Sequence, residues 1–375
     1  MADIKLGSLF DGIGVFPLAA SRCGIVPVWA SEIEKAPVSV TMRHFPEMEH
    51  LGDITKIDGG RVEPVHVVTF GSPCQNLSLA GFREGLAGAK SGLFFEAVRI
   101  MEEMRCATDG LYPAFAVWEN VMGAFSSNNR MDFRGVLQSF TDTEVPMPPF
   151  GRWAGAGMVR GGGADICWRL MDAQYWGRPP LPQRRKRIFL VVDFRGRRAG
   201  DVLFKSRRML PAPAPCRDSG LPASGTNRIS AEKAGRCLPV VHPIQARRMR
   251  GAARHKDRAN FIGSFGRPDD PFPTLLAGDI NMFTFWYEGW EAEGVMRYLT
   301  PTECERLQGL PEGWTAYGHE GRTISTGARC KALGNAIALP CAEHIMAGIK
   351  CNAALYSRRK KHFIFDSINT ITAPS

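Results

Sequence analysis

Lys5-Leu-Gly-Ser-Leu-Phe10-Asp-Gly-Ile-Gly14 is a short apolar run that breaks into a glycine-bearing turn. An apolar stretch from Val15 to Cys23 follows and stops at Gly24. The order reads as strand, tight turn and helix, with Pro17 tolerable only in the first helical turn. The same form recurs along the chain. Val26 to Ala30 ends at Ser31-Glu32, Val65 to Phe70 at Gly71-Ser72-Pro73-Cys74, and Ala114 to Trp118 at Glu119-Asn120; Ile188 to Val192 is a further run. Apolar runs of about five residues, alternating with helical stretches such as Lys35 to Phe45, indicate a largely parallel α/β sheet covered on both faces. Polar residues and glycines gather just beyond the carboxyl ends of these runs, where open α/β sheets bind ligands.

The pattern weakens after Asn120. Pro146, Pro148 and Pro149 precede a glycine-rich stretch reaching Gly163, which predicts a long loop or insertion. From Arg195 to about Gly294 the chain is rich in Pro, Gly and basic residues and poor in helical periodicity, as in a separate small domain of loops and short strands. Thr302 to Leu310 then predicts a helix, with Thr302 and Glu305 at capping-box spacing. A last apolar helix, Ala336 to Ile349, follows Gly334-Asn335. These breaks divide the chain into residues 1–195, 196–296, 297–356 and a basic peripheral tail, 357–375.

A chain of 375 residues with 44% hydrophobic residues can bury a substantial core. Its start carries no secretory pattern, and no run is long enough to span a bilayer, so a cytoplasmic protein without a membrane partner is expected. Ten cysteines without a Cys-x-x-Cys pair point to reduced thiols rather than a disulfide scaffold. Cys216, Cys237, His242 and His255 match no common zinc spacing, so no metal is expected. The formal net charge of +10 is concentrated: residues 195–260 hold 16 Lys or Arg against 4 Asp or Glu. A polyanionic partner fits that segment.

Several residues at the run ends are suited to chemistry. Gly12 and Gly14 allow close backbone approach to a ligand, and the following helix presents unpaired N–H groups, although the third glycine of a dinucleotide fingerprint is missing. Glu32, 18 residues beyond Gly14, is placed to accept from two ribose hydroxyls or to stand as a solvated acid at a helix start. Asp53 taken alone reads first as a plain surface acid and only second as a contact for an adenine amino group. Cys74, held by Pro73, is either a packed thiol or a nucleophile at the sheet edge. Glu119 ends a strand near it, and Arg185 and Arg187 alternate in register on one side of theirs.

Taken in order, Phe10-Asp11-Gly12-Ile13-Gly14, Gly71-Ser72-Pro73-Cys74-Gln75, Glu119-Asn120-Val121, Gln183-Arg184-Arg185-Lys186-Arg187 and Gly334-Asn335-Ala336 closely resemble the motifs of the DNA cytosine-5 methyltransferase family. The resemblance covers about residues 5–195 and 297–350. It implies a Rossmann-like S-adenosylmethionine-dependent methyltransferase sheet with a smaller, strand-containing target-recognition domain. It implies a cofactor pocket from Phe10, Asp11, Gly12, Gly14, Glu32, Ile33, Asp53, Ile54, Pro73 and Asn335. Cys74 resembles the covalent nucleophile, Glu119 the residue that contacts the cytosine ring, and Arg185 and Arg187 the pair beside it, Arg187 reaching the base carbonyl. Asn76 to Ser91 resembles a loop closing over the base, with Gln75, Ser78 and Asn120 as substrate contacts. Asp270-Pro-Phe-Pro-Thr274-Leu275 resembles a recognition element, and Arg247, Arg248 and Arg250 are suited to guanines or phosphates. Arg297 to Trp314 resembles a supporting motif. Two features depart from the pattern: Ser72 stands where a larger Phe or a Pro is common, and the link from Gly177 to Gln183 is about three residues longer than usual.

The resemblance thus implies methylation of carbon 5 of a flipped-out cytosine in sequence-specific duplex DNA; a monomer is expected, and the compact chain without a targeting segment or added modules points to a bacterial or phage origin. An RNA cytosine-5 methyltransferase of the same fold, or a catalytically silent DNA-binding relative, is the alternative.

Overall fold

The computed structural model describes residues 3–72, 92–204, 239–248, 261–265, 271–277, 281–287 and 295–353. Pro73, Cys74, Gln75, Ser78, the rest of the Asn76 to Ser91 segment, Arg250 and the tail from 357 lie outside the described residues.

Eight strands form the main sheet: β1 (Lys5–Leu9), β2 (Val26–Ser31), β3 (Glu49–His50), β4 (Val67–Phe70), β5 (Phe115–Val121), β6 (Ala156–Arg160), β7 (Asp165–Asp172) and β8 (Lys186–Asp193). Their order is β3-β2-β1-β4-β5-β8-β7-β6. β3 through β5 are parallel neighbours, whereas β5 and β8, β8 and β7, and β7 and β6 pair antiparallel. The expected parallel sheet therefore makes up one side only. β6 occupies part of the stretch read as a loop, where exposed Ala156, Met158 and Arg160 alternate with half-buried Gly157 and Val159 at the sheet edge.

Alternation along the strands builds two cores. Val67, Phe115, Val117, Phe189 and Val191 face one layer, with α1 (Val15–Arg22) packed on it. Val68, Phe70, Ala116, Trp118, Ile188 and Leu190 face the other. That second layer is covered by α3 (Leu93–Ala107) and α4 (Met131–Thr141), which follow α2 (Lys35–His44) in the chain. Fully burying each such large side chain stabilises the fold by ~1.5–3 kcal/mol. Gly7 keeps β1 close to β2, because a Cβ there would lie 2.1 Å from the Trp29 ring.

The chain then forms α5 (Ala199–Leu203) and a second sheet of four antiparallel strands, ordered β10-β9-β11-β12. These are β9 (Pro239–Arg248), β10 (Phe261–Phe265), β11 (Asn281–Tyr287) and β12 (Val295–Tyr298). Arg247 and Arg248 lie on β9.

Three helices close the chain: α6 (Pro301–Gln308), α7 (Thr326–Asn335) and α8 (Leu339–Ala353). The capping box is Thr300 with Glu303, two residues earlier than the expected Thr302 and Glu305. Pro301 at the first helical position needs no N–H partner, which favours the earlier start. Glu305 is instead fully buried and accepts from the Gly313 and Thr315 backbones and from Arg329 at 3.0 Å. The last helix also starts later than expected, because Gly334 and Asn335 end α7 rather than precede α8 directly. Among the described residues no single helix is long and apolar enough to cross a membrane, and no group of three or more His, Cys, Asp or Glu is placed to hold a metal.

Candidate active site

The turn after β1, the turn after β2 and the segment after β3 meet at the carboxyl edge of the parallel strands. Phe10, Gly12 and Gly14 all take positive φ (54°, 59° and 76°), so the backbone turns sharply out of β1. The non-glycine Phe10 carries strain there. A Cβ at Gly14 would meet Thr41 at 2.9 Å, so only glycine brings this turn against α2. Trp314 supports the turn from below by donating to the Ile13 carbonyl at 2.8 Å, and it stacks on His44 with ring centroids 3.6 Å apart.

Glu32 ties the first two turns together. One carboxylate oxygen accepts from Gly12 N–H at 2.9 Å, and the other accepts from the Ile33 and Glu34 N–H groups at 2.8 and 2.9 Å. Ile33 beside it is 73% exposed, an apolar side chain offered to solvent, whereas Ile54 is buried in the core. Asp53 caps a short helical turn, accepting from the Thr55 N–H and hydroxyl at 3.0 and 2.9 Å, and these bonds lower its pKa. Ser31 links β2 to this segment by donating to the Gly52 carbonyl at 2.7 Å.

Asp11 is the anomaly of the turn. Its carboxyl is buried, and neither oxygen has a hydrogen-bond partner. Burial pushes its pKa up to about 7; the Ser8 hydroxyl lies near enough to oppose the shift but out of hydrogen-bonding geometry, and the Glu32 charge adds to it. An orphaned buried carboxyl beside a strained glycine turn fits a cationic ligand group. S-adenosylmethionine carries both a sulfonium and an ammonium, and an apolar residue at Ile33 suits its adenine. The sequence gave no sign of this burial.

The linkage has a definite sign. The unfolded chain holds this proton below about 3.8 and the folded chain up to about 7, so folding takes up a proton between those values. Stability contributed by Asp11 therefore falls as pH rises through that window, by up to ~4 kcal/mol. Asp11→Asn cannot ionise. Urea unfolding at several pH values is expected to show its stability gaining on the wild type as pH rises from 4 to 7; parallel pH profiles would refute the buried, protonated carboxyl.

The second half of the site lies at the ends of β4, β5 and β8. Glu119, with its side chain 12% exposed, pairs with Arg187 Nε at 3.1 Å across the antiparallel pair. Burial raises the Glu119 pKa, and Arg187 and then Arg185 oppose the rise. A Cβ added to Gly71 would stand 3.2 Å from Glu119 Oε2, so the carboxylate rests on the backbone three residues before Cys74. Ser72 is held from two sides: the Trp118 indole donates to its hydroxyl at 3.2 Å, and the Asn120 amide donates to its carbonyl at 3.1 Å. Asn120, expected as a substrate contact, is buried and spends its amide on this backbone. The small Ser72 in place of a bulkier residue is thereby explained, since its hydroxyl satisfies the fully buried Trp118. Trp118 was legible only as a core residue.

Arg185, expected beside Arg187 in the catalytic pair, is 1% exposed and donates to the carbonyls of Leu275, Gly334 and Ala336. Its own N–H donates to Asp172 at 2.9 Å, a partner for which the sequence gave no signal. Arg185 is a brace rather than a substrate contact. Thr274 and Leu275, expected as recognition residues, are part of the same brace. Thr274 donates to the Arg184 carbonyl at 2.7 Å, Leu275 is buried in the core, and Phe272 exchanges backbone bonds with Pro182 and Arg184. Their backbone is drawn into the catalytic scaffold because it satisfies the start of β8. Gly334 is packed against them, for a Cβ there would lie 2.4 Å from Ala277 N. Asn335 is exposed between the two carbonyls that Arg185 holds. Lys331 on the same helix pairs with Glu34 at 2.7 Å, which brings α7 against the Glu32 turn.

The model of the C-5 cytosine-specific DNA methylase family matches residues 4–194 and 234–351. A protein of Escherichia phage P1 named DNA N-6-adenine-methyltransferase is 27% identical over 91% of this chain and 60% of its own length. The type II methyltransferase M.FnuDI of Fusobacterium nucleatum is 24% identical over 92% of this chain and 94% of its own. Among relatives, the phage P1 protein and two Bacillus phage orphan methyltransferases are longer, and the chain spans between a third and three fifths of their lengths. The Entamoeba histolytica methyltransferase EhMeth superposes with a TM-score of 0.55 at 12% identity, covering 93% of this chain and 98% of its own, which supports the Rossmann-like fold. With its family model matched over most of its length, the chain belongs to the C-5 cytosine-specific DNA methylases.

Proposed function

We propose that this chain transfers a methyl group from S-adenosylmethionine to carbon 5 of a flipped-out cytosine in duplex DNA, through a transient bond from Cys74 to C6. The observation that carries the reading is the Glu119–Arg187 pair lying against Gly71, directly ahead of the Cys74 segment. Asp11, Glu32, Ile33 and Asp53 would hold the cofactor, with Asn335 closing its pocket. Bound there, S-adenosylmethionine supplies an electrophilic methyl.

Carbon 5 of cytosine is too weak a nucleophile until the ring is activated. Addition of the Cys74 thiolate to C6 creates that nucleophile; once C5 carries the methyl, loss of its proton to a base or water and elimination of the Cys74 thiolate break the C6–S bond and restore the ring. Glu119, held toward its protonated form by burial, supports the addition by keeping a proton at N3. Arg187 stabilises charge developing at the base carbonyl. Neither thiol nor donor can reach a stacked base from two sides, so the base leaves the helix. The basic segment, with Arg247, Arg248 and Arg250, would contact phosphates or bases and make binding salt-dependent. Methylation of an exocyclic adenine amine, as the phage P1 relative's name states for that protein, calls for neither a thiol adduct nor a carboxyl at a ring nitrogen.

Duplex DNA carrying 5-fluorocytosine, incubated with the protein and labelled S-adenosylmethionine, is expected to trap a covalent complex. Cys74→Ala should abolish it. Label moving only to RNA would overturn the substrate, and trapping that survives Cys74→Ala would overturn the nucleophile.

A further inference from the structure

The connection from β7 to β8 lies at the same end of the sheet as Glu119 and Arg187, because Asp172 pairs with Lys186 and Val121 with Arg187. The proposed chemistry leaves most of it unused. It borders a cleft of about 520 Å³ lined in part by Arg169, Tyr175, Trp176 and Lys186. Tyr175 is 75% exposed, a large ring with little protein against it. Arg178, Arg184 and Lys186 are exposed along the same connection. Burying Arg185 as a brace turns its neighbours Arg184 and Lys186 outward.

Asp172 is buried and accepts from Arg185 N–H and from the Gln174 amide at 2.7 Å. Arg169 and Trp176 form the floor: the guanidinium lies 5.1 Å over the Trp176 ring, which in turn packs on His344. Beside this floor the connection carries one exposed aromatic, Tyr175, and the exposed cations Arg178, Arg184 and Lys186. That combination suits a single nucleic-acid strand, whose phosphates meet the cations while a base stacks on the ring.

We infer that the β7–β8 connection is a second nucleic-acid contact, separate from the basic segment, which holds the strand flanking the flipped nucleotide through Tyr175, Arg178, Arg184 and Lys186. The inference rests on the proposed nucleic-acid substrate and adds a site to it. It also gives the long Gly177 to Gln183 link a use, since the extra length carries Arg178 outward.

The test is binding of a short fluorescein-labelled DNA duplex, and of an RNA hairpin of equal length, over a range of salt. Tyr175→Ala is expected to weaken binding about tenfold. The double variant Arg178→Gln, Lys186→Gln should lower the salt slope by about 1.8 on duplex DNA, two phosphate contacts' worth. Arg61→Gln serves as the charge control; Arg61 lies two residues before Glu63, which pairs with Lys5 at the opposite end of β1. S-adenosylhomocysteine affinity, measured by calorimetry, should be unchanged in all variants and would reveal misfolding. If the wild type binds DNA and these variants match it in affinity and slope, the inference fails while the proposed function stands. A wild type that binds only RNA overturns the DNA substrate, and the same variants then decide the inference on RNA. An equal loss in Arg61→Gln would reduce the effect to overall charge and overturn the inference.

Discussion

Glu119→Gln is expected to lower the rate of methyl transfer by about 10²–10⁴-fold while leaving DNA affinity close to that of the wild type. Glutamine keeps the shape and can still donate to a ring nitrogen, but it cannot hold a transferable proton there. Burial raises the Glu119 pKa against the opposing charges of Arg187 and Arg185, so protonated carboxyl persists above the ordinary carboxylate range. The wild-type rate should then fall as pH rises through that raised pKa, and the variant should lack this limb. The 3.1 Å pair with Arg187 is also lost as an ion pair, so thermal unfolding must accompany the kinetics. Single-turnover rates over a pH series check both effects. A variant that turns over like the wild type would remove Glu119 from the chemistry.

Arg185→Met should act differently, on stability before rate. The guanidinium donates to three buried carbonyls, at 2.9 Å to Leu275, 2.9 Å to Gly334 and 2.5 Å to Ala336. Removing it strands those acceptors, and breaking buried charged contacts of this kind costs ~3–5 kcal/mol. The melting temperature is expected to drop by roughly 10 °C. Cofactor affinity should fall with it, because Gly334 and Ala336 flank Asn335. Arg185→Lys keeps one donor and should recover part of the stability with kcat near the wild type, whereas Arg187→Lys should lose kcat and keep the melting temperature. Equal stability but a collapsed kcat in Arg185→Lys would place Arg185 at the substrate after all.

The contrast between Arg185 and Arg187 shows how far the sequence can be read. By alternation in Gln183-Arg-Arg-Lys-Arg187 both arginines read as lying on one side; in the structure Arg185 precedes β8 and is buried, whereas Arg187 lies within β8 and pairs with Glu119. Their different roles come from segments 90, 149 and 151 residues away that bring carbonyls to Arg185, and from β5, which brings Glu119 to Arg187. Likewise, the strand runs were legible because continuous apolar stretches are a local signal. The edge strand β6 was not, since an exposed strand among glycines has no such run. Thr274 and Leu275 carried a motif, but whether they faced DNA or the scaffold depended on the unsatisfied backbone at Arg184.

By itself, then, the order of run ends and polar residues determined the α/β class and the gathering of glycines and polar residues at the carboxyl edge, because those patterns are written in neighbouring positions. The tertiary structure decided the mixed sheet, the burial of Asp11, and the division between an arginine paired with Glu119 and one spent on backbone carbonyls. Burial and pairing are set by groups distant in the chain, and no local pattern records them.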